Sequence, residues 1–234
     1  MERKRGSMKL NNKFIYPTST RSLIDGSRHY DMGNEKLPSV TTILSATQSE
    51  EKKQSLQRWI KREGKERAEG IRDLAANRGT IMHRVLEGYL TGQGHADLSD
   101  LGNQAGVMAG IVFKEGLKPH LEEYWGTELT VYYPGLYAGA TDLAGVYNGR
   151  ESIIDFKQSN KPKKREWIED YFLQLAAYAT AHNWVYNTQI DQGVVLMCTK
   201  DNYFQKFEVQ GQEFQKYMWE WLRRVDAYYK AQNR

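Results

Sequence analysis

The chain has 234 residues, 40% of them hydrophobic and 12% aromatic, so it is long and apolar enough to bury a core. Most of its formal net charge of +4 lies in residues 1–10, so the overall charge says little about nucleic-acid binding. The single cysteine, Cys198, excludes an intramolecular disulfide, a zinc ribbon and a four-cysteine iron–sulfur cluster. No stretch reaches the roughly 18 apolar residues of a membrane span, and no signal peptide is recognisable. We therefore expect a soluble cytoplasmic protein.

The first half of the chain is predicted to be helical after an irregular start. Residues 1–10 are expected to be a tag or a disordered tail, because Gly6-Ser7-Met8 resembles a cloning scar. Residues 11–38 are polar and rich in turn residues. Apolar spacing predicts helices at residues 39–46, 50–70, 72–91 and 103–116. Ser39 is the expected N-cap of the first of these helices. Residues 11–125 are thus expected to form an N-terminal helical region.

In the second half, the apolar residues change from helical spacing to strand-like alternation. Asn148-Gly149 is a strong signal for a two-residue hairpin turn. The pattern predicts strands at residues 127–133, 137–147, 151–157, 192–199 and 203–209, with helices at residues 166–184 and 211–232. We therefore predict an α/β (α+β) fold with an αβββαβ core, in which a mixed sheet is flanked by helices. Residues 126–234 would form this core, and the whole chain would be one structural domain.

Two aspartates are predicted to meet on the central hairpin. Pairing about Asn148-Gly149 places Asp142 directly opposite Asp155, with their side chains on one face of the sheet. Two like charges at that spacing are destabilising unless a positive group lies between them. Carboxylates are preferred ligands of Mg²⁺ and Mn²⁺, so a divalent cation is the expected neutralising group.

Lys157 lies two residues after Asp155, so strand alternation places both side chains on one sheet face. A lysine beside a metal site can orient the attacking water or stabilise a phosphate that is being cleaved. A solvated hairpin edge is the simpler alternative. The strand before Asp155 is almost entirely apolar, however, and an aspartate that ends a buried strand is costly unless it is paired or bound to a metal. The pattern therefore favours phosphodiester hydrolysis.

Four separated motifs follow one another along residues 79–178. They are Gly79-Thr80-x-x-His83-x-x-x-Glu87, Gly139-x-x-Asp142, Ile154-Asp155-Phe156-Lys157 and Gln174-x-x-x-Tyr178. Together they resemble the PD-(D/E)xK nuclease superfamily, and within it the RecB-like branch. The single-domain size and residues 38–44 (PSVTTIL) are most similar to the mitochondrial genome-maintenance exonucleases and their phage relatives. The resemblance implies a restriction-endonuclease-like fold.

The resemblance also implies roles for individual residues. His83, Asp142, Asp155 and the carbonyl oxygen of Phe156 would hold one or two Mg²⁺ or Mn²⁺ ions. A nitrogen ligand favours manganese. Lys157 would orient the attacking water, and Gln174 and Tyr178 would hold Lys157 or the DNA phosphate. Glu87 and Glu128 would support the site, Glu128 as the weaker acid of the first strand.

A basic segment follows the strand that carries Asp155. It consists of Lys161, Lys163, Lys164 and Arg165 around Pro162. A solvated loop is the simpler interpretation, but its position after the catalytic strand favours contact with DNA phosphates. Trp59, Trp125 and Trp167 are candidates for stacking on bases, although tryptophan is more often part of a core.

The combined prediction is a metal-dependent DNA exonuclease that prefers single-stranded ends and acts in DNA replication, recombination or degradation. The resemblance places it in the cytoplasm of a bacterium or a phage-infected cell. Two alternatives stay open: a structure-specific endonuclease with the same site, and a non-catalytic DNA-binding recombination module. The motifs are compatible with a monomer and with a ring-shaped oligomer.

Overall fold

Nine strands and six α-helices occupy the part of the chain that the computed structural model describes, residues 8–94 and 97–232. The strands are β1 (Lys9–Leu10), β2 (Thr20–Ile24), β3 (Ser27–Asp31), β4 (Lys36–Pro38), β5 (Leu121–Tyr133), β6 (Tyr137–Tyr147), β7 (Arg150–Ser159), β8 (Gln192–Thr199) and β9 (Phe204–Gln210). The helices are α1 (Val40–Ala46), α2 (Glu50–Glu63), α3 (Lys65–Thr91), α4 (Asp100–Ile111), α5 (Glu169–Tyr186) and α6 (Gly211–Gln232). A π-helical turn at Val112–Leu117 continues α4, and a 3₁₀ turn at Arg165–Trp167 precedes α5.

A six-stranded mixed sheet with the order β1-β5-β6-β7-β8-β9 lies at the centre. The strands β5, β6 and β7 form an antiparallel meander, and α5 then crosses over so that β8 runs parallel to β7. With α3 before the meander, the order of the elements is the predicted αβββαβ core. The predicted fold class, a restriction-endonuclease-like core in a mixed sheet flanked by helices, is therefore confirmed.

Helices cover both faces of this sheet. On one face, Ile153 and Val195 pack in a cluster with Leu175 of α5 and Trp221 of α6. On the other face, Ile154 belongs to a cluster with Met82 of α3 and Met108 of α4. Neighbouring residues of β7 thus belong to opposite cores, as strand alternation requires.

The central hairpin has the predicted turn and register. Asn148 and Gly149 both have positive φ, 52° and 79°, which two-residue turns of this kind require. Leu143 pairs with Ile154 as the predicted register demands. The hairpin therefore brings the two predicted aspartates to the same level, near the middle of β6 and β7.

The N-terminal half differs from the prediction at three places. The break between the second and third helices falls at Gly64, with φ 85°, and not near residue 71, so α3 runs unbroken for 27 residues. Residues 11–38, predicted as irregular, contain the small antiparallel sheet β2-β3-β4. The strand β5 begins at Leu121, six residues before the predicted start, so the predicted boundary at residues 125/126 lies inside a strand.

The segment predicted as a tail is only partly outside the described residues. Residues 1–7 lie outside them, whereas Lys9 and Leu10 form β1 and pair in parallel with Glu123 and Tyr124 of β5. At its edge, the central sheet therefore includes residues that were expected to be disordered. Among the helices described, none is both long enough and apolar enough to cross a membrane.

Candidate active site

The predicted site residues meet where β6 and β7 separate. The ladder between these strands ends at Leu143 and Ile154, and β7 continues alongside β8. Asp142 and Asp155 therefore lie one step beyond the last paired residues instead of facing each other in the ladder. In this fork, the Asp142 Oδ2 atom accepts a hydrogen bond of 2.6 Å from the Phe156 backbone N–H. The carboxylate of Asp142 is thus fixed by the backbone of the strand that carries Asp155.

His83 reaches this fork from α3. Its Nδ1 atom lies 3.3 Å from Asp142 Oδ1, and its Nε2 atom lies 2.8 Å from the Phe156 carbonyl oxygen. A carbonyl oxygen can only accept, so Nε2 carries the proton of that hydrogen bond. In the neutral ring, Nδ1 is then the nitrogen with the free lone pair, and it faces the carboxylates. The predicted meeting of His83 with Asp142 and the Phe156 carbonyl group is present in the structure.

Glu128 joins the same cluster through an unusual backbone conformation. Its neighbours Thr127 and Leu129 pair with Leu143 and Thr141, so Glu128 lies opposite Asp142. Its φ of 51° is in the left-handed region of backbone conformations, which residues other than glycine and asparagine rarely adopt. One Glu128 carboxylate oxygen lies 3.9 Å from His83 Nδ1. Strained backbone of this kind is concentrated at functional sites.

The donor set fits a hard divalent cation. One ligand atom each from His83, Glu128 and Asp142 can be chosen so that all lie within 4.8 Å of one another. Octahedral ligands at about 2.1 Å from an ion lie about 3–4 Å apart, so the spacing suits Mg²⁺ or Mn²⁺. The prediction had placed Asp155 in the ligand set and Glu128 in a supporting role. In the structure Glu128 is in the cluster, and the Asp155 side chain contacts Lys157.

Lys157 is held by a chain of polar contacts. Its Nζ atom lies 2.5 Å from Asp155 Oδ2 and donates a 3.3 Å hydrogen bond to Gln174 Oε1. The Gln174 amide nitrogen in turn donates to the Tyr178 hydroxyl oxygen at 2.8 Å. Gly139 makes room for this arrangement, because a Cβ atom there would lie 2.6 Å from Cε1 of the Tyr178 ring. The residues of three predicted motifs thus form one connected unit.

The carboxylates of the site and its two positive side chains, His83 and Lys157, shift one another's pKa values. Burial alone would lower the pKa of His83, but Asp142 and Glu128 outweigh it and raise the pKa to about 10. Burial would likewise lower the pKa of Lys157, yet Asp155 and Asp142 hold that pKa above its ordinary value. For Asp155, burial raises the pKa to about 6 and Lys157 offsets part of the rise. His83 and Lys157 therefore offset part of the charge of the three carboxylates, and a cation that binds His83 Nδ1 must displace a proton.

Two neighbouring cavities give the site access to a long ligand. The first, of about 690 Å³, is lined by His83, Glu128, Lys157 and Glu87. The Glu87 carboxylate accepts a weak hydrogen bond of 3.5 Å from the Thr127 hydroxyl group. The second cavity, of about 500 Å³, is lined by Trp59, Lys161 and Lys163. Gln158 and Tyr171 line both cavities, so the two cavities adjoin, and we call them together the strand cleft.

The predicted basic segment is divided between two environments. Lys161 and Lys163 line the strand cleft. Lys164 lies over the exposed ring of Trp167 at 5.3 Å. Arg165 forms a 2.8 Å ion pair with Glu213 of α6 and lines neither cavity of the strand cleft. Only the first half of this segment is therefore positioned for the predicted contact with a ligand in the cleft.

Four further residues near the site were not predicted. Arg21 and Arg28 come from the small sheet and line a cavity with Asp142 and His83. Nothing in the turn-rich segment that contains them indicated this position. Tyr171 lies under Lys157, with Nζ 5.0 Å from the ring centre, and its spacing from Gln174 could have revealed it. Arg78, next to Gly79 of the first motif, is buried without any recognisable spacing signal.

A restriction-endonuclease-like core with acidic residues, a histidine and a lysine at its central fork is the class of structure defined by these observations. The chain is similar to mitochondrial genome maintenance exonuclease 1 from Xenopus tropicalis, with 29% identity over 85% of this chain and 59% of that protein. It is 29% identical to the proteins of the same name from Mus musculus, over 84% of this chain and 60% of that protein, and from Homo sapiens, over 82% and 58%. The chain thus spans about three fifths of the length of these curated relatives, and the predicted resemblance is confirmed.

No protein-family model matches the chain. Among solved structures, an alkaline exonuclease from Laribacter hongkongensis matches with a TM-score of 0.32 and 11% identity, over 68% of this chain and 84% of that one. An exonuclease candidate from Eubacterium rectale matches with a TM-score of 0.43 and 15% identity, over 66% of this chain and 68% of that one.

Proposed function

We propose that the protein is a metal-dependent DNA exonuclease of the PD-(D/E)xK type, which hydrolyses phosphodiester bonds and prefers single-stranded ends. The observation that supports this most strongly is the cluster of His83, Glu128 and Asp142 beside Lys157 in one open cleft. A metal ion beside a lysine can activate a water and stabilise the negative charge of a phosphodiester that is being hydrolysed. Similarity to three proteins named as exonucleases supports the same reaction.

The acidic cluster is the proposed cofactor site. His83, Glu128 and Asp142 would hold Mg²⁺ or Mn²⁺, and the Phe156 carbonyl oxygen and Asp155 remain proposed further ligands. The bound ion would supply the positive charge that activates water and stabilises the cleaved phosphate. Binding of the ion at Nδ1 requires the neutral form of His83, and the hydrogen bond from Nε2 to the Phe156 carbonyl oxygen holds the ring with Nδ1 toward the carboxylates.

Lys157 is the proposed catalytic cation. Burial would lower its pKa, but Asp155 and Asp142 hold that pKa above its ordinary value, which favours the ammonium form. The ammonium group would orient the attacking water and stabilise negative charge on a phosphate oxygen. Asp155, Gln174 and the Tyr171 ring fix its position, so little reorganisation is needed during the reaction.

The strand cleft is the proposed path of the DNA. Lys161 and Lys163 would contact phosphates, and Trp59 would stack on a base. In this proposal Lys164 and Arg165 lie outside the path. A role in DNA replication, recombination or degradation, and a cytoplasmic setting, stay predictions drawn from the resemblance.

Two alternatives use the same residues differently. An endonuclease would have the same site with a cleft open to uninterrupted strands. A non-catalytic DNA-binding module would use the cleft without cleavage. The second alternative is disfavoured because Asp142, Asp155 and Lys157 are all present and connected.

The proposal is tested with end-labelled linear single-stranded DNA, duplex DNA and a covalently closed single-stranded circle, each with Mn²⁺, Mg²⁺ or EDTA. We expect digestion of the linear single strand with either metal, slower digestion of the duplex and no cleavage of the circle. Lys157→Ala and Asp155→Asn should each reduce the rate by about 100-fold or more. Lys216→Ala is the matched control, since Lys216 is an exposed lysine on α6.

Each other outcome selects an alternative. Cleavage of the circle would identify an endonuclease with the same chemistry. DNA binding without cleavage by the wild-type protein in any metal would contradict the catalytic proposal and favour the binding module. Equal activity of Lys157→Ala and the wild type would exclude the proposed role of Lys157.

A further inference from the structure

Arg78 of α3 is a buried arginine whose side-chain hydrogen bonds, within the described part of the chain, go to neutral amide groups. Only 2% of its surface is exposed. Its guanidinium group donates hydrogen bonds to three side-chain amide oxygens: Gln158 Oε1 at 2.9 Å, Gln104 Oε1 at 3.3 Å and Asn160 Oδ1. Burial lowers the pKa of Arg78 and the charge of Asp201 offsets part of that effect, but a guanidinium group remains charged in proteins. A buried charge whose hydrogen bonds all go to neutral groups is costly, so a compensating use is expected.

The three hydrogen bonds determine which way the amide groups point. A guanidinium group only donates, so each of the three amides must turn its oxygen toward Arg78 and its nitrogen away. The Gln104 nitrogen is then used within the protein, where it donates to the Lys200 carbonyl oxygen at 3.4 Å. Among residues 8–94 and 97–232, the Gln158 and Asn160 amide nitrogens have no hydrogen-bond acceptor.

The residues that carry these two amide groups line the strand cleft. Gln158 lines both of its cavities, and Asn160 lines the second one together with Lys161 and Lys163. Gln158 lines the first cavity together with His83 and Lys157, so it lies beside the proposed reaction centre. Asparagine and glutamine amide donors are common partners of DNA phosphate oxygens. A negatively charged ligand here would also be attracted by the buried charge of Arg78.

We propose that Gln158 and Asn160 form a phosphate-binding subsite for the DNA strand beside the cleavage site, and that Arg78 positions their amide donors. The subsite rests on the proposed function, because it takes the strand cleft as the path of a DNA strand. It is distinct from the lysine contacts, since neutral amides bind phosphate oxygens without releasing counterions. Arg78 acts through Gln158 and Asn160 as a positioning residue and has no contact with the reacting atoms.

The test replaces each donor by an acceptor while the contact with Arg78 is kept. In Gln158→Glu and Asn160→Asp, one carboxylate oxygen can still accept from Arg78, and the second oxygen takes the place of the amide nitrogen facing the cleft. We expect each variant to bind a fluorescent single-stranded oligonucleotide about tenfold more weakly in EDTA, measured by anisotropy. Gln104→Glu is the matched control. It places the same negative charge beside Arg78, but its second oxygen faces the Lys200 backbone carbonyl group and not the strand cleft. It should bind within about twofold of the wild type.

A second measurement separates loss of the donor from added charge. Gln158→Met removes the donor without adding charge and should weaken binding about threefold, with an unchanged salt dependence. A set of oligonucleotides, each with one neutral methylphosphonate linkage at a different position, locates the phosphate that is bound. We expect the wild type to lose affinity when the neutral linkage is at one particular position. For Gln158→Met, a neutral linkage at that position should cause no additional loss of affinity. Thermal unfolding of each variant checks the fold.

The outcomes separate this proposal from the proposed function. If Gln158→Glu and Gln104→Glu weaken binding equally, or if Gln158→Met and Gln158→Glu both bind like the wild type, the subsite is refuted, whatever the nuclease activity. If the wild type binds but cleaves no DNA with Mn²⁺ or Mg²⁺, the nuclease proposal fails and the subsite stands on the binding data. A wild type that binds no DNA strand at all overturns the subsite.

Discussion

At the scale of single residues, Glu128 combines a rare backbone conformation with a place beside His83. Its φ of 51° costs roughly 1–3 kcal/mol compared with an ordinary strand conformation. A strand residue with a typical φ would point its side chain along the regular alternation of β5. The strain is therefore connected with placing this carboxylate 3.9 Å from His83 Nδ1, opposite Asp142. Metal binding is the use that would compensate for it.

The substitution Glu128→Gln tests whether this carboxylate contributes to metal binding. The amide removes one negative charge and is a weaker ligand for Mn²⁺, so we expect the Mn²⁺ dissociation constant to rise about 10- to 100-fold. Isothermal titration calorimetry of the full chain measures the effect. Glu87→Gln is the control, because the Glu87 carboxylate lines the same cleft and accepts a weak hydrogen bond from the Thr127 hydroxyl group, and the Mn²⁺ affinity of this variant should stay close to the wild-type value. Equal losses in both variants would contradict a special role of Glu128.

His182 gives a second prediction at this scale. It is fully buried, its Nε2 lies 2.9 Å from the Tyr16 hydroxyl oxygen, and its Nδ1 lies 2.8 Å from the Thr188 hydroxyl oxygen. The Thr188 hydroxyl group already donates to Asn183, so it accepts from Nδ1 and the neutral ring accepts from Tyr16. Burial, and next the charge of Lys13, lower the pKa of His182 to about 4.

The lowered pKa of His182 determines how the free energy of unfolding changes with pH. Between pH 6.5 and about 4 the unfolded chain binds a proton at this histidine that the folded chain does not, so stability falls as the pH falls. His182 should contribute about 2 kcal/mol to the loss of unfolding free energy between pH 7 and pH 5. Urea unfolding at both pH values measures it, and His182→Gln should show a shallower pH dependence. An unchanged slope in that variant would contradict the assignment.

At the scale of elements, the junction between α2 and α3 decides how α2 lies against the strand cleft. Gly64 has φ 85° and ψ 146°, which is accessible only to glycine without strain. The helix α2 buries none of its side chains, yet its Trp59 lines the strand cleft. The position of Trp59 therefore depends on the junction and on surface contacts such as the 2.9 Å ion pair of Lys52 with Asp170.

Two alanine substitutions of opposite expected sign test the junction. Nothing lies within 4 Å of a Cβ atom at either Gly64 or Gly70, so contacts do not distinguish the two positions. Gly64→Ala should cost roughly 1–3 kcal/mol and speed hydrogen exchange of the α2 amides, because a residue with a side chain is strained there. Gly70→Ala, inside α3, should stabilise the protein by roughly 0.5–1 kcal/mol in thermal unfolding. The same sign in both variants would exclude backbone strain as the cause.

The elements also show how far sequence patterns can predict this fold and site. The hairpin at Asn148-Gly149 was predictable because its turn requires two positive φ values and its strands alternate regularly. The strands β2, β3 and β4 were missed because they are only three to five residues long and β2 is mostly exposed, so they carry little alternation of apolar and polar residues. His83 and Lys157 were found through motif spacing, whereas the role of Glu128 in the cluster depends on a backbone angle without a sequence signature.

At the scale of the whole molecule, the segment from residue 9 to residue 19 joins the sheet edge to the cleft. It begins with β1 against β5 and continues with Phe14, whose ring lies 5.1 Å from Trp125 and 5.0 Å from His182. Ser19 then bonds Thr130 at 2.9 Å, immediately before β2 carries Arg21 into the cleft. The anchoring of this segment therefore determines where the small sheet β2-β3-β4 lies relative to His83, Glu128 and Asp142.

Adjacent residues of this segment provide the final prediction. Phe14 is half-buried among aromatic rings, while Ile15 is 93% exposed although it is equally apolar. Phe14→Ala should lower the free energy of unfolding by roughly 2–4 kcal/mol, because it removes ring contacts and leaves a gap beside Trp125. Ile15→Ala should change it by less than about 0.5 kcal/mol. Urea unfolding of both variants measures the difference, and equal effects would mean that the segment is held by its backbone pairing with β5 and not by the Phe14 ring.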